Sequence, residues 1–265
     1  MKDGIINGGR NIRMARWIKM FDKNKVKEVL KKLKEDIGFF ANEAHFQMSF
    51  LYKAMQLFGD DFVFIPEYPI NSLLESGKLD NIDLLIIDSK TKERTFIEFK
   101  HKTANTSKGS LKVKIKDADI EITPTKMDAQ DLGRFDCWSD IERLESYKNN
   151  ERSNVSNAFF IFLTNESKYW KEDGDGKFGN AFAMNADRFD PVTDGKKWKS
   201  WDDNKKSVDN SDLGAISKGR NRVIRINSSY DFDWDYFIKV ENYKNMLFGK
   251  ERKDCSVYKR LIVEI

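Results

Sequence analysis

Three charged residues interrupt two apolar runs of the sequence, and their chemical types suit work on a phosphate group. Asp83 stands inside "NIDLLIID" (residues 81–88), and Glu98 and Lys100 flank Phe99 in "TFIEFKHK" (residues 95–102). Burying an unpaired carboxylate is costly, so charges in apolar runs call for a reason. Two carboxylates held close together suit a hard cation such as Mg²⁺. A lysine beside that cation can orient an attacking water while the cation stabilises charge on a phosphate. This chemistry is phosphodiester hydrolysis.

A plain structural role explains the same three residues equally well. Side chains alternate faces along a strand, so Glu98 and Lys100 point one way while Ile97 and Phe99 point into the packing layer. Two adjacent strands could then bring Asp83 and Glu98 together at one sheet edge. A cross-strand salt bridge between Asp83 and Lys100 on a solvent-facing side is the alternative. Asp followed by Glu-x-Lys is a loose pattern, so the strands alone leave both interpretations open.

The elements that would position these residues can be predicted from periodicity and turn signals. Helical spacing of apolar residues predicts helices in residues 23–40, with a stop at Gly38, in residues 42–59, with a stop at Gly59, and in residues 127–150. Strand-like runs occupy residues 61–70, 79–88 and 93–103, and residues 111–123 suggest one further strand or a ribbon. The nearly continuous apolar run "NAFFIFLTN" (157–165) predicts a central strand buried on both faces. Shorter aromatic strands are predicted at "KKWKSW" (196–201), "NRVIRI" (221–226), "WDYFIKV" (234–240) and "LIVEI" (261–265).

This order of elements predicts an α/β fold with a mixed central β-sheet flanked by helices. We divide the chain into a basic N-terminal arm and helix (1–40), a core (41–170) and a β-rich C-terminal extension packed on that core (171–265). No apolar run approaches the roughly 18 residues of a membrane span, and residues 1–16 lack the features of a secretory signal. The two cysteines are far apart, which fits a reducing cytoplasm.

Basic residues are clustered, which is typical of a protein that binds a polyanion. The net charge is only +4, but residues 1–34 contain eleven Lys or Arg against three acids. Residues 100–116 contain six Lys and no acid, and a third cluster, "KGRNRVIR", spans residues 218–225. Charged runs are often only solvated faces, yet three of them around the odd carboxylates favour nucleic acid. The sequence has no Gly-rich phosphate loop, which argues against a nucleotide cofactor.

The motif and its setting resemble the PD-(D/E)XK nuclease superfamily, the restriction-endonuclease-like fold. Asp83 matches the Asp of the second core strand, and Glu98 and Lys100 in "IEFK" match the (D/E)-x-K strand. The resemblance covers about residues 40 to 165. The chain departs from the named motif because Asn81 and Ile82, and no proline, precede Asp83.

The resemblance implies an Mg²⁺-dependent endonuclease for DNA, of the restriction or phage-defence kind, with Mn²⁺ able to substitute for Mg²⁺. Glu43 stands where members of the superfamily often add a glutamate from the preceding helix, so the metal ligands implied are Asp83, Glu98 and Glu43. The resemblance implies DNA as the partner and is compatible with a homodimer. The auxiliary candidates are Gln47, Gln130 and Asp131, and the candidates for DNA contact are Lys102, Lys112, Lys114, Lys116, Arg134, Arg220 and Arg222. Two alternatives stay open: a catalytically silent nuclease fold that binds DNA or has a structural role, and a nuclease for branched DNA or RNA.

Overall fold

A computed structural model describes most of the predicted elements and places six strands in one sheet. It describes residues 20–74, 77–104, 111–115, 118–122, 130–171, 182–184, 188–189, 201–202, 204, 207–208, 220–240 and 256–265. No helix in these ranges is both long and apolar enough to cross a membrane.

The described chain contains three α-helices, two short 3₁₀ helices and twelve strands. The α-helices are α1 (Lys23–Asp36), α2 (Glu43–Phe58) and α3 (Gln130–Lys148), and the 3₁₀ helices are Glu151–Ser153 and Ser167–Tyr169. The strands are β1 (Phe62–Asn71), β2 (Leu79–Asp88), β3 (Arg94–Lys102), β4 (Leu111–Ile115), β5 (Ala118–Ile122), β6 (Val155–Thr164), β7 (Arg188–Phe189), β8 (Trp201–Asp202), β9 (Ser207–Val208), β10 (Tyr230–Asp231), β11 (Asp235–Lys239) and β12 (Val257–Glu264).

The central sheet is mixed and has the strand order β1-β2-β3-β6-β12-β11. Strands β1, β2 and β3 form an antiparallel meander, and β6 runs parallel to β3. A parallel neighbour requires a crossover, and α3 lies in the connection that provides it. From α2 to β6 the chain therefore reads helix, three strands, helix, strand. The prediction of an α/β fold with a mixed sheet flanked by helices is confirmed, and the ribbon predicted for residues 111–123 is the β4–β5 hairpin.

The ends of the first two helices follow the predicted signals. Asp22 caps α1 by accepting a hydrogen bond from the Lys25 N–H, and Asn42 caps α2 in the same way through His45. Gly38 follows α1 with a φ of 74°, which only glycine adopts without strain. A Cβ there would also lie 2.9 Å from the Cδ1 atom of Ile238 on β11. The helix ends at Asp36, two residues before Gly38, so the predicted stop is confirmed.

Both faces of the sheet are covered, and each has its own apolar cluster. On one face α2 packs Phe46 and Phe50 against Phe99 of β3, and α1 adds aliphatic side chains to the same cluster. On the other face α3 packs Trp138 and its apolar neighbours against the sheet. Burying one such side chain stabilises the fold by roughly 1.5–3 kcal/mol. Strand β6 is buried almost throughout, which confirms its predicted central position.

The predicted strand at residues 221–226 is wrong, and α3 supplies the reason. The segment does alternate, with Ile224 and Ile226 buried and Arg225 exposed. Ile224 forms only an isolated β-bridge, however, and backbone donors of residues 225–228 bind carboxylates of α3. The Arg225 N–H donates to Glu142 (2.7 Å), and Glu145 accepts from the N–H groups of Asn227 and Ser228 (2.8 Å each) and from the Tyr230 hydroxyl (2.8 Å). Glu145 is 2% exposed, so it anchors this segment from inside.

The C-terminal segment contributes directly to the central sheet. Strand β12 pairs with β6 and β11 pairs with β12, both antiparallel, so these two strands extend the sheet beyond β6. The residues that we assigned to a C-terminal extension therefore complete one edge of the same sheet. The predicted strand at 196–201 falls largely outside the described residues.

Candidate active site

Strands β2 and β3 separate where the three predicted residues lie. Their pairing runs from Ile87↔Arg94 to Leu84↔Ile97 and stops there, one residue before Asp83 would face Glu98. Beyond this point β3 continues to pair with β6 on its other side. The separation leaves a gap between β2 and β3 at Asp83 and Glu98. The gap lies inside the sheet, because β1 flanks it beyond β2 and β6 flanks it beyond β3.

Two acidic side chains cap the backbone donors that the separation leaves unpaired on β3. The Phe99 N–H donates to Asp83 Oδ2 at 2.6 Å, and the His101 N–H donates to Glu43 Oε2 at 2.9 Å. Glu43 is the first residue of α2, so the helix start delivers this carboxylate to the open end of β3. Burial raises the pKa of Asp83 to about 6, the Phe99 N–H opposes this, and the charge of Asp140 adds to it.

Glu98 is 2% exposed and ion-paired to Arg143 of α3. Arg143 Nη2 lies 2.7 Å from Glu98 Oε1 and 3.2 Å from Asp140 Oδ1. Burial raises the pKa of Glu98 well above its ordinary range, Arg143 opposes the rise, and the nearby charges of Asp83 and Asp140 reinforce it. Glu98 and Asp83 are therefore close enough to repel each other when both are ionised.

Lys100 points to the same face as Glu98, as predicted, and binds two carboxylates. Its Nζ atom is 2.9 Å from Asp140 Oδ2 and 3.9 Å from Glu43 Oε1. Burial lowers the pKa of Lys100, but the charges of Asp140 and Glu43 outweigh it and hold that pKa well above its ordinary value. Lys100 is therefore a fixed cation at neutral pH. None of the ion pairs in the described residues joins Lys100 to Asp83. The cross-strand salt bridge between these two residues, which was the structural alternative, is therefore not formed.

A distortion of the meander accompanies the site. Glu67 of β1 lies opposite Asp83 in the register and has a φ of 49°. On one side of this point β1 presents Ile65 to the α3 cluster, and on the other side it presents Tyr68 and Ile70, so the alternation changes phase there. Gln47 of α2 holds the distortion in place, because its Nε2 donates to Glu67 Oε1 and to the Asp83 carbonyl, both at 2.9 Å. The auxiliary residue Gln47 is thus part of the site.

The charges of the site fit a divalent cation. Four carboxylates, those of Glu43, Asp83, Glu98 and Asp140, surround two cations, Lys100 and Arg143. Within the described part of the chain, no group of three or more His, Cys, Asp or Glu side chains is arranged to hold a metal ion. Mg²⁺ commonly binds through only one or two carboxylates and keeps several waters. Asp83 and Glu98 could provide that number of ligands. Burial is the main cause of the raised pKa of each carboxyl, and the negative charge of Asp140 adds to it.

Sequence reasoning missed the two α3 residues that contact the predicted pair. Asp140 and Arg143 approach Lys100 and Glu98, whereas the prediction had chosen residues at the start of α3. The signal was present in "DCWSDIER" (136–143), where polar residues recur at positions 136, 139, 140 and 143 along one side of the helix. Asp136, Ser139, Asp140 and Arg143 all line one cleft of about 300 Å³.

The remaining predicted residues lie elsewhere or outside the described part. Arg134 is 3% exposed and donates to the Lys168 carbonyl, so a contact with DNA would require it to leave a buried position. Arg220 forms a bidentate pair with Asp136 (2.7 and 2.8 Å), and Arg222 pairs with Glu142. Lys102 is partly buried at the end of β3. The residues that lie outside the description, wholly or in their side chains, are Lys112, Lys114, Lys116, Gln130 and Asp131.

Comparison with known proteins gives no relative for this chain. No family model, no curated protein and no solved structure matches it significantly. The functional assignment therefore depends on the geometry of the site.

Proposed function

We propose that this protein is a metal-dependent nuclease that hydrolyses phosphodiester bonds of DNA, with a core of the restriction-endonuclease-like type. The observation that carries the proposal is the assembly of Asp83, Glu98 and Lys100 at the point where β2 and β3 separate. Three residues that the sequence singled out for phosphate chemistry thus share one site. The order of α2, β1–β3, α3 and β6 supports the resemblance to the PD-(D/E)XK superfamily.

Each side chain of the site has a defined part in the proposed reaction. Asp83 and Glu98 would hold the metal, which when bound stabilises charge that develops on the scissile phosphate. The Phe99 N–H fixes the Asp83 carboxylate, and the main chain around Asp83 is held by Gln47. Lys100 stays protonated, so it orients the water and the phosphate by donating hydrogen bonds and does not act as the base.

One observation favours a catalytically silent fold as the second candidate. The charges of the site are already paired: Lys100 binds Asp140, and Arg143 binds Glu98. Buried ion pairs of this kind can be structural. A DNA-binding or structural subunit would keep such a network without turnover.

The direct experiment is a cleavage assay with a panel of nucleic acids. Purified protein would be incubated with supercoiled DNA, linear duplex, a branched junction, single strands and RNA, each with Mg²⁺, Mn²⁺ or EDTA. We expect duplex DNA to be cut with either metal and left intact in EDTA. Asp83→Asn protein from the same purification controls for contaminating nucleases. Binding of DNA without cleavage of any substrate would contradict the proposal and favour the silent fold.

Glu43 should matter less than the strand carboxylates. It is a helix residue whose carboxylate accepts a hydrogen bond from the His101 N–H and lies 3.9 Å from Lys100 Nζ. It therefore positions β3 and Lys100 at the edge of the site. Glu43→Gln keeps an acceptor for that N–H while removing the charge. We expect a loss of about tenfold to a hundredfold in cleavage rate, typical of residues that support metal ligands. A single-turnover assay measures it, and a wild-type rate would leave Glu43 only its role as a cap.

The lysines of the β4–β5 hairpin are expected to bind phosphates. Contacts of this kind make affinity fall with salt, each contributing about −0.9 to the log–log slope on duplex DNA. Replacing Lys112, Lys114 and Lys116 with Ala should weaken binding to all sequences alike and flatten the slope by up to about 3. Binding curves across a salt series in Ca²⁺ would measure this. An unchanged slope would place the DNA away from the hairpin.

A further inference from the structure

Arg143 neutralises a carboxylate that the proposed metal would also need. Its Nη2 atom lies 2.7 Å from Glu98 Oε1, and Glu98 is almost completely enclosed. Among the described residues, the cation in direct contact with Glu98 is the Arg143 guanidinium. With a metal bound, two cations would compete for one buried carboxylate.

We propose that a divalent metal displaces Arg143 from Glu98, and that the displaced guanidinium then binds a phosphate of the substrate in the adjoining cleft. The inference depends on the proposed nuclease function and adds to it an order of events. Arg143 compensates Glu98 before the metal arrives and becomes a substrate-binding residue afterwards.

The contacts of Arg143 suit such an exchange. Arg143 Nη2 and Glu98 Oε1 form an ion pair at 2.7 Å, and a divalent cation carries twice the charge with which to attract the same oxygen. Arg143 has a second carboxylate partner, Asp140 of the same helix, at 3.2 Å. This contact would keep the guanidinium near α3 when Glu98 binds the metal. Its Nε atom is buried and has no hydrogen-bond partner in the described part of the chain. Arg143 therefore has donor capacity that the present arrangement does not use.

The cleft next to Arg143 offers a place for a phosphate. It measures about 300 Å³, and its charged lining consists of four basic residues and three acids: Lys78, Arg143, Arg220, Arg222, Asp80, Asp136 and Asp140. Arg220 is committed to Asp136 through two short hydrogen bonds. Arg143 differs because its bond to Glu98 is the one that metal binding would remove. A guanidinium can bind two phosphate oxygens at once, which suits this residue for the task.

Competition of this kind makes metal affinity the direct measurement. Isothermal titration of the full chain with Mn²⁺ would compare wild type, Arg143→Met and the control Arg260→Met. Arg260 pairs with Asp235 on β11, away from the cleft, so its loss removes an equal charge without touching Glu98. We expect Arg143→Met to bind Mn²⁺ on the order of tenfold more tightly, within the usual range of coupling between sites, and Arg260→Met to match wild type. Unchanged or weaker binding by Arg143→Met would overturn the inference.

Arg143→Lys keeps the inference testable if Arg143→Met does not fold. A lysine preserves the charge but is shorter and cannot bind two oxygens, so we expect Mn²⁺ affinity above that of wild type. An affinity at or below that of wild type would count against displacement.

The phosphate role has its own readout in DNA binding. Affinity for a short duplex would be measured in Ca²⁺, which holds the metal site without cleavage, and in EDTA. We expect Arg143→Met to lose about tenfold in affinity in Ca²⁺ and almost nothing in EDTA, since only metal frees the guanidinium. An equal loss in both conditions would overturn the inference. Absence of metal binding in every protein would remove the proposed function as well, whereas metal-dependent cleavage with unchanged Mn²⁺ affinity in Arg143→Met would remove this inference alone.

Discussion

Asp83→Asn is expected to abolish DNA cleavage without lowering the stability of the metal-free protein. Asparagine keeps an oxygen that can accept the hydrogen bond from the Phe99 N–H, so the cap on β3 remains. The negative charge that would hold the metal is lost. Metal ions supply several kcal/mol of transition-state stabilisation, so cleavage should fall on the order of a thousandfold or more. Single-turnover cleavage of a duplex in Mg²⁺ measures it.

The stability of this variant should depend on pH in a defined direction. The pKa of Asp83 is raised from 3.8 to about 6, so the folded protein binds a proton more readily than the unfolded chain. Ionised Asp83 therefore destabilises the fold above pH 6, and the penalty disappears below about pH 4. Asp83→Asn should gain about 1–2 kcal/mol over wild type at pH 8, a figure reduced because the carboxylate is only partly enclosed, and nothing at pH 4. Urea unfolding at the two pH values in EDTA would show it.

Glu98→Gln provides the contrast for the same pair of measurements. It should also lose cleavage, but it leaves the charge of Arg143 without its closest partner inside the protein. Removing one member of a buried ion pair usually destabilises by about 3–5 kcal/mol, and the burial that raises the pKa of Glu98 offsets part of this loss because glutamine carries no charge. A loss of stability in Asp83→Asn as large as in Glu98→Gln would show that Asp83 has a structural role, and would count against its assignment as a ligand.

Lys100→Met is expected to lose most turnover and to keep metal binding. Lys100 is a fixed cation that would donate to the water and the phosphate, and removing one such donor typically costs about a hundredfold to a thousandfold in rate. Metal binding should persist because the ligand carboxylates are intact, and it should strengthen slightly as a competing charge leaves. Cleavage rate and Mn²⁺ affinity are the two measurements.

A double variant separates catalysis from folding at this position. Lys100→Met leaves Asp140 without its partner at 2.9 Å, so the single variant should be destabilised. Adding Asp140→Asn removes that uncompensated charge and should restore stability but not cleavage. Recovery of cleavage in the double variant would show that Lys100 acts only by neutralising Asp140.

The sequence predicted most of the elements well because helices and strands depend on short-range patterns, and the candidate motif could be singled out for the same reason. Apolar spacing located α1 and α2, and the continuous apolar run of β6 located a central strand. Asp83, Glu98 and Lys100 could be recognised because charges inside apolar runs are unusual whatever the tertiary structure. Strand alternation also predicted that Glu98 and Lys100 share a face.

The partners of these residues could not be predicted because they depend on long-range packing. Asp140 and Arg143 look like ordinary polar residues of a helix until α3 is placed over β3. The helix α3 covers the face of β3 that carries Glu98, and this long-range contact makes Glu98 an enclosed charge. The change of phase at Glu67 results from Gln47 of a different element, and no alternation within β1 reveals it.

The two sets of contacts on α3 restrict how this helix can change in length. Asp140 and Arg143 reach toward β3, while Glu142 and Glu145 bind the backbone of residues 225–228. The two sets alternate along the helix, so one residue inserted between Asp140 and Glu145 would rotate all the following side chains by about 100° relative to the preceding ones and split at least one set. Either the site or the anchored segment would then lose its carboxylates. Insertions and deletions among homologues should therefore be absent from this turn of α3, even where its individual side chains vary.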